Sequence, residues 1–427
     1  TASGPVSGIR QDDLISFKGI PYSKAARWQL PQDPPPWTQT LRADNFGPSC
    51  PQTLPEGQLL NMDEDCLTLN VFTPDEISKP LPVVVYFHGG GLKAGNGNLD
   101  PDIMVQQGIV VVSLNYRLGY AGFYNDGNPN APKNFGQADM VKALDWTRGN
   151  IRAFGGNPED VTIMGHSAGG MAVQLMMVTP QAEGLFHRAI SMAGYSTWPV
   201  PGVDEVSPEF SIETSIATLV SAQPHYHLPY IGGPLLPRQP SETFTQGRQA
   251  KVPYLAGGTS LDGAGTIYGA GFTDESYTAL WRSNPQVLAP YLKAQKSSPR
   301  LALMSLFGDH RYLQASRLTV REMERAGMPA YLYYYDIRDP EQPGAYHGSE
   351  AAKIMADTPS AFQDYIFSFI KTGTPTSEGN PDWLIYKDGN WMIFRNSSIS
   401  LERDYKKDAL DMIEEFAPNR ESLNAQN

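Results

Sequence analysis

The sequence predicts an α/β fold, a mostly parallel central sheet with helices on both faces. Three observations point there. Short β-branched or aromatic runs recur along the chain, each bounded by Gly, Pro or Asp. Longer segments with helical spacing separate them. One of the runs leads directly into a glycine-flanked serine, "GHSAGG" at residues 165–170. Alternation of strands and helices builds a parallel sheet, because crossover helices cover both of its faces. Residues 1–427 are expected to form one domain, since an α/β unit of this length need not be divided.

The runs "LPVVVYF" (81–87), "IVVVSLNY" (109–116), "VTIM" (161–164), "AISM" (189–192), "VPYLAG" (252–257) and "AYLYYYDI" (330–337) read as buried parallel strands. They are apolar almost throughout, as strands covered on both faces must be. Residues 137–153 place Met140, Ala143, Leu144 and Ile151 at the spacing of a helix packed on that sheet. The proline-rich stretches 31–36 and 224–240 read as surface connections. No internal repeat or low-complexity tract interrupts this order.

Bulk properties narrow the function classes. Seven Trp, 21 Tyr and 17 Phe argue against a disordered chain. A formal net charge of -12 makes a poor nucleic-acid binder, because phosphate contacts need clustered Lys and Arg. No stretch has the length of an apolar membrane-spanning helix. Thr1 opens a polar segment without a signal-peptide pattern, and the missing initiator Met reads as processing or trimming. Two cysteines, Cys50 and Cys66, leave free thiols and a disulfide equally open on composition.

In open α/β sheets chemistry gathers beyond the carboxyl ends of the strands. "VTIM" running into "GHSAGG" supplies the strand–turn–helix context of a G-x-S-x-G turn. Gly165 and Gly169 let backbone pass closely, the tight turn lifts Ser167, and a following helix directs its N–H groups there. The competing reading is plain glycine punctuation, so the rest of the chain must decide. A serine nucleophile needs a base, an orienting acid and donors for the developing oxyanion. "FHGGG" (87–91) follows a strand and offers Gly90 and Gly91 as N–H donors, with Ala168 as the other. His88 in the same loop is a second candidate base, or a structural residue bonded to loop backbone, which is the favoured reading.

The acid and base should follow the serine in the order Asp or Glu, then His. Asp262 in "GGTSLDG" and His347 in "GAYHGSE" each lie just beyond an expected strand. His225 and His227 in "AQPHYHLPY" come before that acid, and His310 in "FGDHRYL" reads as a helix start on the surface. Ser167, Asp262 and His347 therefore form the expected triad.

With these residues assembled, the sequence resembles the type-B carboxylesterase family, which includes the cholinesterases, over nearly its whole length. "FGGNPEDVTIMGHSAG" (154–169) and "EDCLTLNVFTP" (64–74) match that family's two signatures. "FKGIPY" (17–22), "NYRLGYAGF" (115–123), "GLFHRAI" (184–190) and "GAYHGSE" (344–350) read as further family blocks. The resemblance implies an α/β-hydrolase fold with a reduced cap region and a carboxylesterase activity. It implies Ser167 as nucleophile, His347 as base, an oxyanion hole of Gly90, Gly91 and Ala168, and no metal or organic cofactor. It also implies a disulfide between Cys50 and Cys66, and with it a secreted or other oxidising location.

Several features depart from the family. The usual "DEG" acid motif reads "LDG", so Asp262 takes the acid's place, with Glu350 as a rival. The spacing from Ser167 to Asp262 and on to His347 is short, which points to a more open site. The loop 50–66 has no tryptophan to stack on a quaternary ammonium, and Leu92 stands where a phenylalanine is usual. The expected substrate is a small to medium, uncharged ester. Acyl transfer or cyclisation by the same site in secondary metabolism is the alternative, and a non-catalytic adhesion or interaction role is a third reading. "NSS" (396–398) marks Asn396 as a glycosylation acceptor pattern.

Overall fold

The structure, a computed structural model, describes residues 1–54, 60–224, 226–296 and 298–424. Eleven strands share one sheet. They are β1 (Ile9–Gln11), β2 (Leu14–Pro21), β3 (Thr68–Pro74), β4 (Leu81–Phe87), β5 (Val110–Leu114) and β6 (Gly156–His166). The rest are β7 (Arg188–Met192), β8 (Tyr254–Thr259), β9 (Ala330–Asp336), β10 (Asn390–Arg395) and β11 (Ser398–Arg403). Their spatial order is β11-β10-β9-β8-β7-β6-β4-β5-β3-β2-β1. The stretch from β10 to β5 is parallel throughout, and the strands at both margins pair antiparallel.

All six expected strands are present and fill most of the parallel part. Their near-continuous apolarity follows from burial on both faces. Val83, Val85 and Phe87 of β4 join one core cluster with Val110, Val112 and Leu114, while Val84 and Val111 join a second cluster on the opposite face. Helix α1 (Phe135–Asn150) carries Met140, Ala143 and Leu144 into the first core, with Ile151 in the 3₁₀ turn that follows. Gly155 at φ 82 ends that turn, a backbone position that suits glycine. Helix Ala361–Thr372 covers the second face with Phe362, Tyr365, Ile366 and Phe369.

The topology reverses at one place. From β4 the chain steps to β5 on one side, then returns across β4 to lay β6 on the other. A crevice opens between the carboxyl ends of β4 and β6, where open α/β sheets bind ligands. "FHGGG" leaves β4 there and "GHSAGG" leaves β6.

Cys50 and Cys66 form a disulfide with their Cα atoms 5.0 Å apart, as the resemblance implies, and both are buried. Residues 55–59 of the loop it closes lie outside the described residues. Asn396 occupies the turn between β10 and β11, where its amide bonds both backbone groups of Arg338 (2.8 and 2.7 Å). The stretch 224–240 is only partly the surface connection expected of it. His227, Tyr230 and Leu236 are buried, because this segment packs back against the β4 loop. Among the described residues no helix is long and apolar enough to cross a membrane.

Candidate active site

The turn after β6 is built by close backbone approach. A Cβ on Gly165 would lie 2.4 Å from Gly169 O, and one on Gly169 would lie 2.0 Å from Phe87 O. Only glycine fits at either position. Ser167 between them adopts φ 59 and ψ -120, a strained conformation for a side-chain-bearing residue and the signature of a nucleophile elbow. Its N–H donates to Met192 O (2.9 Å), and its carbonyl accepts from Met171, starting helix α2 (Ala168–Val178). The dipole of α2 thus has its positive end at the serine.

The β4 loop lies against this elbow. A Cβ on Gly89 would sit 3.5 Å from Ser167 Cβ. Gly90 and Gly91 follow at φ 111 and φ 65, and a side chain on Gly90 would strike Ala94 O at 2.1 Å. Among the described residues the N–H groups of Gly90, Gly91 and Ala168 donate to no protein acceptor. Gly91 and Ala168 are buried and Gly90 is exposed, and all three N–H groups are free for a ligand oxygen.

Two further loops converge from β8 and β9. Leu261 N–H donates to Ala345 O (2.9 Å) and Ala345 N–H donates to Ser260 Oγ (2.7 Å), so the loops run side by side. Across them His347 Nδ1 bonds Asp262 Oδ1 at 2.8 Å. Asp262 is almost wholly buried, and its other oxygen accepts from Thr259 N–H (2.6 Å). A carboxylate on Nδ1 fixes that nitrogen as the donor and makes Nε2 the acceptor. The His347 ring stands 4.5 Å from the ring of His166, the residue before the serine, and 4.8 Å from that of Tyr312. A side chain on Gly348 (φ 89) would lie 3.3 Å from the His166 ring.

Glu350 takes a different place. It is fully buried, neither carboxyl oxygen has a hydrogen-bond partner, and His166 Nε2 is 4.0 Å away. Burial, with the charge of Asp262 adding to it, holds its carboxyl well above the usual carboxylate range. His88 bonds the backbone of its own loop, Nδ1 to Gly89 O at 2.8 Å, and burial pushes it down to about 4. That geometry fits the structural reading. His227 is buried, and its backbone N–H donates to Gly91 O (3.2 Å). His225 lies outside the described residues. Leu92 is fully buried in the first core cluster at φ 57.

His310 corrects the expectation of a surface helix start. It is buried in a π-helical turn, Asp309–Leu313, that continues one helix (Pro299–Gly308) into the next (Gln314–Arg325). Its ring packs on Trp198 and Trp281, its Nδ1 meets Tyr277 Oη at 3.1 Å, and burial drives it down to about 3. Asp309 and His310 of this turn have polar partners within the fold. Asp309, for example, accepts from Tyr291 Oη (2.6 Å) and pairs with Lys406 (2.6 Å).

Sequence reasoning passed over Arg311 and Tyr312 in this turn, and Tyr226. A cavity of about 460 Å³, bordered by Arg311 and Tyr226, opens beside the glycine loop. The available signal was a polar cluster, Asp309 to Arg311, closing the largely apolar helical run 301–307. Another cavity, of about 450 Å³ near Pro129 and Leu185, includes none of the expected site residues. Among the described residues no group of three or more His, Cys, Asp or Glu is placed to hold a metal ion.

Comparison with known proteins bears on the family. Residues 1–221 match the model of the carboxylesterase family. The chain is 34% identical over 304 residues to the para-nitrobenzyl esterase of Bacillus subtilis (strain 168), a match spanning 62% of each protein. It is 27% identical over 480 aligned positions to the liver carboxylesterase of Sus scrofa, covering 89% of this chain and 85% of that one. A solved PNB esterase superposes with a TM-score of 0.81 at 26% identity, over 96% of this chain and 97% of the other. A thermophilic PNB esterase does so at 0.82 and 26%, over 97% and 99%. An α/β-hydrolase sheet with its serine loop at the switch point, matched by the family model over half the chain, places this protein in the carboxylesterase family.

Proposed function

We propose that the chain, read as one catalytic domain over residues 1–427, hydrolyses small-molecule carboxylic esters through Ser167, His347 and Asp262. The observation that carries the reading is the 2.8 Å bond from His347 Nδ1 to a buried Asp262, together with a serine held at φ 59 directly after His166, whose ring lies 4.5 Å from that of His347. Ser167 Oγ attacks the ester carbonyl as His347 Nε2 takes its proton, and Asp262 stabilises the imidazolium without becoming protonated. The free N–H groups of Gly90, Gly91 and Ala168 receive the oxyanion of the tetrahedral intermediate. His347 returns the proton to the leaving alcohol, and water then attacks the acyl-enzyme by the same steps in reverse. The disulfide supports a secreted or other oxidising location.

The test is initial hydrolysis rates on p-nitrophenyl esters from acetate to decanoate, beside Ser167→Ala. The variant should lose about 10⁴-fold or more in kcat. Equal slow rates for both proteins would remove hydrolysis by this site. Release of the acyl group to added alcohol but not to water would turn the reading to acyl transfer.

A further inference from the structure

Arg311 is buried to 3% exposure, and its guanidinium borders the cavity beside the glycine loop. The rings of Tyr226, Tyr195 and Trp198 lie 4.1, 4.3 and 4.9 Å from its Cζ. Their faces stabilise the charge, but a ring face does not satisfy the in-plane N–H donors. Nε and Nη2 have no hydrogen-bond partner, and among the described residues no carboxylate pairs with this arginine. Arginine stays protonated, so a buried and uncompensated positive charge remains in the cavity wall.

Two contacts link the cavity wall to the residues around Ser167. The Tyr226 ring lies 3.2 Å from where a Cβ on Gly91 would be, and Tyr312, the residue after Arg311, packs on the His347 ring. Nε and Nη2 are closed to solvent, so a carboxylate in the cavity would meet the guanidinium through its remaining nitrogen, Nη1. Glu205 borders the same cavity.

We propose that this cavity selects esters that carry a carboxylate, held by the guanidinium of Arg311 while the scissile carbonyl sits at Ser167. The proposal rests on the reading of Ser167 as the nucleophile. It replaces the uncharged ester expected from sequence. That expectation drew on a loop without tryptophan, which argues against cations and is silent on anions.

The test compares matched esters with the full chain in a pH-stat at pH 7.5. Monoethyl adipate, ethyl hexanoate and ethyl 6-aminohexanoate vary the charge on the acyl side; 4-acetoxybutanoate and butyl acetate vary it on the alcohol side. At least one acid ester should exceed its neutral partner about tenfold or more in kcat/KM, with the ammonium ester lowest. Arg311→Met, which keeps the side-chain bulk, should lower that acid-to-neutral ratio about tenfold. A neutral or ammonium ester preferred on both sides overturns the proposal, as does an acid preference untouched by Arg311→Met. If the variant does not fold, the wild-type ratios decide alone. If no ester is turned over, including p-nitrophenyl acetate, the hydrolase reading fails separately. Calorimetry of adipate with wild type and Ser167→Ala then reads the subsite by itself, and absence of binding overturns it.

Discussion

Two arginines are buried to nearly the same degree and treated in opposite ways. Arg117, at 4% exposure, gives Nε and Nη2 to the two oxygens of Asp139 (2.8 and 2.7 Å), and Nη1 to the carbonyls of Ala26 and Gln29. Arg311, at 3%, leaves that same pair of nitrogens without a partner and rests on aromatic faces. A charge that serves only the fold is matched within the fold. A charge left unmatched at a cavity wall beside a nucleophile elbow has its partner elsewhere. The difference teaches that burial alone does not mark an arginine as structural; the state of its N–H donors does.

The sharpest way to break the comparison is to remove one side of the matched pair. Asp139→Ala leaves the Arg117 charge buried alone and should cost about 3–5 kcal/mol of stability. Denaturant unfolding measures it, and a loss under about 1 kcal/mol would mean that Arg117 is no better served than Arg311.

The next largest effect concerns buried bases kept neutral. Burial pushes His88 down to about 4 from an ordinary value near 6.5. Below 6.5 the unfolded chain takes up this proton and the native one does not. The stabilisation is therefore complete above pH 6.5 and lost progressively down to about 4, at roughly 1.4 kcal/mol per pH unit. His88→Gln should flatten this part of the profile when unfolding free energies are measured at pH 7.5, 6 and 5. Parallel profiles for the two proteins would contradict it.

The smallest expected effect is Arg311→Met on stability. Replacing an uncompensated buried charge by an apolar chain of similar bulk should change unfolding free energy by under about 1 kcal/mol, in either direction. A loss as large as that of Asp139→Ala would make Arg311 a structural residue like Arg117.

Much of the fold was legible because parallel strands buried on both faces leave continuous apolar runs. The marginal strands were not. β11, "SISLER", is half exposed and alternates, and β1 is three exposed residues whose pairing with β2 no local pattern announces. The glycines and Ser167 were legible because backbone crowding restricts those positions to particular residue types. His347 and Asp262 were found from chain order and from their places after strands. His310 was misread because a polar cluster was taken as exposed, when tryptophans 112 and 29 residues distant in sequence cover it. Arg311 escaped notice because its surroundings come from residues near 195, 226 and 307, which only the folded chain brings together.

The π-helical turn at Asp309–Leu313 gives this arrangement an unusual genetic sensitivity. Within it Asp309 anchors to Lys406, His310 to Tyr277, Arg311 faces the cavity, and Tyr312 backs His347. A π turn holds one residue more than an α turn, and each residue of an α-helix rotates its side chain by about 100°. Deleting a single codon here would re-index every side chain in the turn at once. In a lineage of such enzymes, selectivity for charged esters would then change by a shift of register, with every neighbouring amino acid kept.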